Sequence, residues 1–202
     1  ATQTFPSLIA AHQLSSIAAA VAVASCFKIP LAHALASLAS YVPPNGRMNI
    51  LRGVNQSWLL DDSYNSSPLA AARALETFAA IPGPTRRIAV FGEMAELGEL
   101  SREAHRELGT RAAEHADLLV VIGESARDIL AGAIDAGFAE SKTMYAQTAD
   151  EAGRMLREHV QSGDLVLVKG SQVARTEKVT KALLAESEQA GELLVRQGVE
   201  WK

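Results

Sequence analysis

The stretch RRIAVFGEMAELGELSREAH (residues 86–105) indicates how this chain folds. Its first seven residues read as a buried strand that ends on Gly92. An acidic loop with Glu93 and Glu96 follows, and a helix with Ser101 as its cap begins after it. A continuously apolar strand that leads into a helix is typical of a parallel sheet covered on both faces. The stretch therefore predicts an α/β fold.

The same pattern recurs on both sides of this stretch. Strands are predicted for DLLVVIG (117–123), KTMYA (142–146) and DLVLVKG (164–170). RMNILRG (47–53) and QSWLLDD (56–62) read as a β-hairpin. Helices are predicted for residues 68–80, 101–115, 124–135, 149–161 and 173–188. Alternation of this kind predicts a Rossmann-like, mostly parallel sheet with helices on both faces, whose ligands bind beyond the carboxyl ends of the strands.

An N-terminal helical segment precedes this sheet. Residues 9–40 read as two alanine-rich helices, and YVPPNGR (41–47) reads as a linker. We therefore predict two domains, residues 1–44 and residues 45–202. SIAAAVAVASCF (16–27) is too short for a membrane span and predicts a buried helix that also buries Cys26. Because the chain begins at Ala1 in the middle of a pattern, we expect it to be a fragment of a longer protein.

Composition and missing motifs exclude several classes of protein. The net charge of -4 argues against a nucleic-acid-binding surface. A single cysteine fits a reducing compartment and predicts a cytoplasmic protein. The sequence contains no phosphate loop, no G-x-G-x-x-G, no G-x-S-x-G and no Cys/His cluster with zinc spacing, so we predict no metal site of its own.

DDSYNSSP (61–68) is a candidate ligand site because it ends a strand and opens a helix. Asp61 and Asp62 could accept hydrogen bonds from ribose hydroxyls or hold a hydrated Mg²⁺ ion, and Asn65 could bind a ligand or the backbone. Ser67 and Pro68 fit a helix start. The same residues also fit an Asx-turn with two solvated acids, and the spacing leaves both interpretations open.

Three other places carry candidate binding residues, each with an ordinary structural alternative. Glu93 and Glu96, with Glu99, could receive an amine or a metal, or they could form a solvated acidic loop. Lys169 could meet an anion and Ser171 could bind a ligand, or they could be a snorkelling lysine and a helix cap. Arg47 could reach a ligand between domains, or it could be an exposed linker residue.

Taken together, GR, DDSYNSSP, FGEMAELGELS and VKGS, in this order, resemble the carboxy-terminal part of the Mur ligase family. AAHQLSSIAAAVAVA (10–24) is similar to the end of that family's central ATP-binding domain. Within the family, the motifs are those of the branch that adds D-alanyl-D-alanine to a UDP-muramoyl tripeptide. The resemblance thus implies an ATP-dependent acid–amino-acid ligase of peptidoglycan synthesis.

The resemblance also implies roles for individual residues. It places His12 near the adenine, Arg47 near the nucleotide, and Asp62 near the ribose of ATP. Asp61, Tyr64 and Asn65 complete the nucleotide-binding loop. Glu93, Glu96, Lys169 and Ser171 would help to bind the dipeptide or the UDP-muramoyl peptide.

The cofactors that the resemblance implies are ATP and Mg²⁺, bound mainly by a central domain, and the partners are the UDP-muramoyl peptide, D-alanyl-D-alanine and the remaining domains of the same protein. Without a phosphate loop, we expect the chain alone not to catalyse ligation. Two alternatives remain open. One is another amide ligase of the superfamily, such as a folylpolyglutamate or cyanophycin synthetase. The other is a non-catalytic module that binds a nucleotide or a partner.

Overall fold

The computed structural model describes residues 4–201 and divides the chain into two units, one up to Pro44 and one from Asn45 onward. The first unit contains two helices, α1 (Leu14–Cys26) and α2 (Leu31–Leu38). No helix among the described residues combines the length and the apolar character that a membrane span requires.

The prediction that residues 16–27 form a buried helix is wrong in its burial. In α1 only Ile17 is buried, Val23 and Phe27 are exposed, and so is Cys26. A helix that is apolar on all sides needs neighbours on all sides to be buried. Within its own unit, α1 packs against α2.

The second unit is built on a six-stranded sheet, as the alternating pattern predicts. Its strands are β1 (Asn49–Arg52), β2 (Trp58–Asp62), β3 (Arg86–Gly92), β4 (Leu118–Ile122), β5 (Thr143–Ala146) and β6 (Asp164–Lys169). Their order in the sheet is β1-β2-β6-β3-β4-β5. All neighbouring pairs are parallel except β1 and β2, which form the predicted antiparallel hairpin.

Six helices accompany the sheet: α3 (Pro68–Ala80), α4 (Ser101–Ala113), α5 (Arg127–Asp135), α6 (Ala149–His159), α7 (Glu177–Leu183) and α8 (Ala190–Leu193). Alternate strand residues such as Leu59, Val90 and Val168 pack with apolar residues of α6, α7 and α8. Successive strand residues point to opposite faces, so the remaining strand residues face the other side, where α3, α4 and α5 lie. The predicted Rossmann-like arrangement is confirmed.

Local capping confirms one helix start and corrects another. Ser67 Oγ accepts a hydrogen bond from Ala70 N at 3.4 Å, and Pro68 occupies the first turn of α3, both as predicted. The prediction that Ser101 caps α4 is wrong. Ser101 is the first residue of α4, because a 3₁₀ helix (Gly98–Leu100) leads directly into it and satisfies the preceding backbone.

The long helix predicted for residues 173–188 is broken. A 3₁₀ turn (Gln172–Ala174) ends at Arg175, whose φ of 52° lies in the left-handed region. Helix α7 then ends at Leu183, because Leu184 leaves helical geometry and forms an isolated antiparallel bridge with Gly53. Tertiary pairing with the β-hairpin thus overrides the local helical preference.

Glycines set the spacing between α4 and α5. A Cβ at Gly109 would overlap the carbonyl oxygen of Ile129, and a Cβ at Gly132 would overlap that of Arg106. Each glycine therefore lets the backbone of the opposite helix approach closely.

We expect Gly109→Ala to lower the free energy of unfolding by about 1–3 kcal/mol, because the added methyl group must push two helices apart. This loss should exceed the gain of roughly 0.5–1 kcal/mol that alanine brings within a helix. Urea denaturation measures the change. The matched control is Gly191→Ala in α8, where an added Cβ would meet no atom within 4 Å. A Gly109→Ala protein as stable as its parent would contradict this account of the packing.

Candidate functional site

The candidate site lies where three neighbouring parallel strands end. The sheet order places β6 between β2 and β3, and the register aligns Lys169 with Asp62 on one side and with Phe91 on the other. The loops after β2, β3 and β6 therefore leave the same edge of the sheet side by side. In sheets of this kind ligands bind at this edge. We call residues 62–67 the Asp62 loop.

An ion pair between Lys169 and Asp62 lies at the base of this edge. Lys169 is 2% exposed, and its Nζ lies 2.5 Å from Asp62 Oδ2. The same ammonium donates a hydrogen bond to the main-chain oxygen of Asn65 at 2.9 Å. A buried charge is tolerated when it is paired and hydrogen-bonded in this way. The structure thus gives Lys169 the role of holding the Asp62 loop, and a direct contact with a substrate stays a prediction.

Asp61 and Asp62 point to opposite faces because they are consecutive residues of a strand. Asp61 is fully buried, and Thr180 Oγ1 donates a hydrogen bond to its Oδ1 at 2.8 Å. Burial, which disfavours the charged carboxylate, raises the pKa of Asp61 to about 6; the neighbouring carboxylates of Asp62 and Glu177 act in the same direction. Asp61 therefore lies inside the fold, and its direct contact with a nucleotide stays a prediction.

The exposed part of the Asp62 loop is formed by Tyr64 and Asn65. Tyr64 N donates a hydrogen bond to Gly46 O at 3.1 Å, and the guanidinium of Arg47 lies 4.1 Å from the centre of the Tyr64 ring. Asn65 Oδ1 accepts a hydrogen bond from Ser66 N at 2.9 Å. Arg47, Tyr64 and Asn65 are thus brought together at the surface, as their assignment to one site requires.

The loops after β3 and β6 are joined through their backbones. Ser171 N donates a hydrogen bond to Glu93 O at 2.9 Å. Met94 N donates to Nε2 of the buried His105 at 2.8 Å, while His105 Nδ1 lies 2.7 Å from Ser101 O and must therefore carry the proton. These bonds fix the loop in which Glu93 is half-buried and Glu96 is exposed with a φ of 65°.

Three serine hydroxyls near the ends of β2 and β6 are buried without a hydrogen-bond partner among the described residues: those of Ser63, Ser66 and Ser171. Ser171 precedes the 3₁₀ turn without forming the side-chain cap that is its structural alternative. A buried polar atom without a partner is costly unless it serves a ligand or water.

His12 lies in the N-terminal unit, within a 3₁₀ helix (Ala11–Gln13), and is exposed; its predicted contact with adenine stays a prediction. Among residues 4–201 there is no group of three or more His, Cys, Asp or Glu side chains that could hold a metal ion.

Sequence reasoning did not identify three residues that shape this site. Thr180 binds Asp61, Arg196 contacts the rear of the Asp62 loop, and Glu177 pairs with Arg196. Glu177 and Thr180 are spaced three residues apart on one helical face, and that spacing could have indicated a polar face directed toward a strand end. No sequence signal points to Arg196.

The raised pKa of Asp61 predicts a pH dependence of stability. The ordinary pKa of 3.8 applies to the unfolded chain, and the folded value is about 6. Between these values the folded state binds more protons than the unfolded state. The stabilisation is therefore fully present below about pH 4, and it is lost as the pH rises through about 6.

We expect Asp61→Asn to remove this part of the pH dependence, which amounts to roughly 3 kcal/mol for a shift of two pKa units. Chemical denaturation between pH 4 and pH 7 measures it. The control is Glu158→Gln, which removes an exposed carboxylate from α6. If the Asp61→Asn protein kept the parent's slope between these pH values, the assignment to Asp61 would fail.

Two relatives of this chain carry the same name. The ligase named UDP-N-acetylmuramoyl-tripeptide–D-alanyl-D-alanine ligase from Mycobacterium bovis is 34% identical over 195 residues, which cover 87% of this chain and 38% of that protein. The protein of the same name from Escherichia coli K12 is 30% identical over 174 residues, which cover 85% of this chain and 37% of that protein. The chain thus spans less than two-fifths of the length of these two relatives.

Solved structures agree with the sequence comparisons. The MurF ligase of Thermotoga maritima, crystallised in complex with ADP, superimposes with a TM-score of 0.71 at 28% identity, over 91% of this chain and 39% of that one. A MurF structure from Acinetobacter baumannii gives a TM-score of 0.72 at 27% identity, over 84% of this chain and 37% of that one.

A family profile covers the sheet and its ligand edge. The profile described as "Mur ligase, glutamate ligase domain" matches residues 46–172, which contain all six strands, the Asp62 loop and Lys169. The match extends over more than half of the chain, and this chain therefore belongs to the Mur ligase family through its glutamate ligase domain.

Proposed function

We propose that this chain is the carboxy-terminal part of an ATP-dependent ligase that joins D-alanyl-D-alanine to a UDP-N-acetylmuramoyl tripeptide. The observation that carries the proposal is the Asp62 loop, held by the buried Lys169 at the carboxyl edge of the sheet. The relatives whose names state this reaction support it over the same region of the chain.

In this proposal the Asp62 loop binds the nucleotide. Asp62 is 8% exposed, so its carboxylate reaches the surface at the edge while Lys169 compensates its charge from below. A carboxylate in this position can accept hydrogen bonds from the two ribose hydroxyls. Arg47 and Tyr64 form an exposed stacked pair beside it, which can contact the flat or anionic parts of a nucleotide.

The substrate side of the proposed site is formed by the loops after β3 and β6. The unpaired hydroxyls of Ser66 and Ser171 can bind a carboxylate or phosphate oxygen of a substrate. Glu93 and Glu96 provide negative charge that suits the amine of an incoming dipeptide. The backbone bond between Ser171 and Glu93 keeps these two loops at a fixed separation.

ATP and Mg²⁺ are the cofactors we propose for the complete enzyme. ATP supplies the phosphoryl group that activates a substrate carboxylate for attack by an amine. The described side chains fit the ribose end of a nucleotide, but they provide no metal-binding group. We therefore derive no metal-dependent step from this chain and propose that the phosphates and the metal are held by a central domain. The N-terminal unit with His12 would be part of that domain.

The direct test is an assay of the full-length protein that carries this chain. We expect it to consume ATP only when UDP-N-acetylmuramoyl tripeptide and D-alanyl-D-alanine are both present, and mass spectrometry should detect the pentapeptide product. Glutamate with a folate substrate, and aspartate with arginine, serve as competing substrates. Turnover of either set in place of the muramoyl substrate would replace the proposal with another ligase of the superfamily. ATP or ADP binding without any turnover would indicate a non-catalytic module.

Asp62→Asn in that protein should raise the KM for ATP about tenfold or more, since a hydrogen bond to a charged group contributes roughly 1.5–3 kcal/mol. The KM for D-alanyl-D-alanine should change little, and circular dichroism should show a folded protein. The control is Asp135→Asn, which removes a carboxylate that is likewise ion-paired, in this case with Arg106, but lies at the last residue of α5. Unchanged ATP kinetics in the Asp62→Asn protein would remove Asp62 from the nucleotide site.

A further inference from the structure

The guanidinium of Arg196 binds the rear of the Asp62 loop. Its side chain is 6% exposed, its Nη1 donates a hydrogen bond to Ser63 O at 3.1 Å, and its Nη2 donates to Tyr64 O. Both contacts are made to main-chain oxygens, so they constrain the path of the loop whatever its side chains are. Arg196 itself has a φ of 57°, in the left-handed region.

Three consecutive carbonyl groups of the loop are thereby bound by cations. Arg196 binds the oxygens of Ser63 and Tyr64, and Lys169 binds the oxygen of Asn65. Lys169 belongs to the sheet, whereas Arg196 belongs to the chain's last segment. The loop is held between these two cations, and the side chains of Tyr64 and Asn65 are left exposed on its outer side.

A buried glutamate holds Arg196 in place. Glu177 is 0% exposed, and its Oε2 lies 3.2 Å from Arg196 Nη1. Its Oε1 lies 2.6 Å from Nε of Arg175. Nη2 of Arg175 donates a further hydrogen bond to Trp201 O at 2.9 Å. Because both oxygens of Glu177 bind arginines, the carboxylate is fully paired, as a buried charge requires.

The segment that carries Arg196, residues 190–201, is anchored at several other points. Ala190 and Leu194 are buried in the core beside α7. Asn45 Nδ2 donates a hydrogen bond to Glu192 O at 2.7 Å, and Val195 packs at Gly46, directly before Arg47. This segment lies outside the region that the family profile matches, which ends at residue 172. It contacts the Asp62 loop and also Asn45 and Gly46, which precede β1.

We propose that Arg196 is a positioning residue, which holds the Asp62 loop in its nucleotide-binding shape before any nucleotide arrives. Residues 190–201 act as a strap that carries Arg196 to the loop, and Glu177 fixes the orientation of its guanidinium. This inference rests on the proposed function of the loop, since positioning matters for catalysis only if the loop binds ATP. A preformed loop binds its ligand without the cost of ordering it.

The test uses Arg196→Gln in the full-length protein, with hydrogen exchange of peptides from residues 61–68 measured without nucleotide. The amides of Tyr64 and Ser66 are hydrogen-bonded in this loop and report its order. We expect their exchange to become roughly tenfold faster, which corresponds to about 1.4 kcal/mol. Exchange in α4 should be unchanged.

Two further variants separate positioning from charge compensation. Arg86→Gln also removes an arginine from a buried carboxylate, that of Asp164, but at the first residues of β3 and β6, at the opposite ends of these strands from the loop, so loop exchange should stay at the parent's rate. Arg196→Lys keeps the positive charge beside Glu177 but lacks the planar fork that reaches two carbonyls. We therefore expect the Arg196→Lys protein to fold and its loop exchange to remain raised. Full restoration by lysine would show that only the charge matters, and this would overturn the proposal.

Steady-state kinetics complete the test. In Arg196→Lys and Arg196→Gln we expect the KM for ATP to rise roughly tenfold, with kcat changed less than about threefold. Unchanged loop exchange, or faster exchange with an unchanged KM for ATP, would overturn the proposal. Ligation by the parent protein decides the proposed function separately. If the parent protein failed to ligate the substrates, the proposed function would be wrong, and the loop-exchange measurements would still test the role of Arg196.

Discussion

The ion pair between Lys169 and Asp62 determines where the functional edge of this domain lies. Lysine has a long, strongly hydrated side chain, and it is rarely as fully buried as Lys169 is here. Such burial is tolerable only when an anion and further acceptors surround the ammonium, and Asp62 with the oxygen of Asn65 meets that need. The pair joins the last residues of two adjacent strands, so the loop that follows β2 must start at a fixed point. The other contacts of the site are arranged around that point.

Alternation along β2 gives its two final carboxylates different surroundings. Asp62 faces the lysine and the surface, whereas Asp61 faces Thr180 inside the fold. The sequence shows two adjacent aspartates, and their surroundings differ because successive residues of a strand point to opposite faces. One acid is paired with a buried lysine, and the pKa of the other is raised by burial. A single dipeptide therefore contributes one group to the candidate site and one group to the interior.

Much of the fold could be predicted from the sequence, because its strands are continuously apolar and its turns are marked by glycine and proline. The hairpin, the parallel strands and the start of α3 at Pro68 all follow from local patterns. The end of α7 at Leu183 could not be predicted, because it depends on the bridge between Leu184 and Gly53, which lie far apart in the chain. The exposure of α1 could not be predicted either, since an apolar sequence does not say which neighbours cover it. For the site, the motif residues could be identified from the sequence. Arg196 could not, because it contacts main-chain oxygens of a distant loop and no motif around position 196 indicates such contacts.

Between Ser63 and Asn65 the Asp62 loop is held through its backbone. Lys169 and Arg196 bind carbonyl oxygens there, and every amino acid has one. The path of the loop therefore depends little on which side chain stands at position 64, whereas the side chain of Asn65 accepts a hydrogen bond from Ser66 N. Position 64 can change, in evolution or in a designed library, without altering the scaffold that presents it. A domain built in this way can acquire a preference for a different ligand by exchanging exposed side chains, while the path of its backbone stays the same.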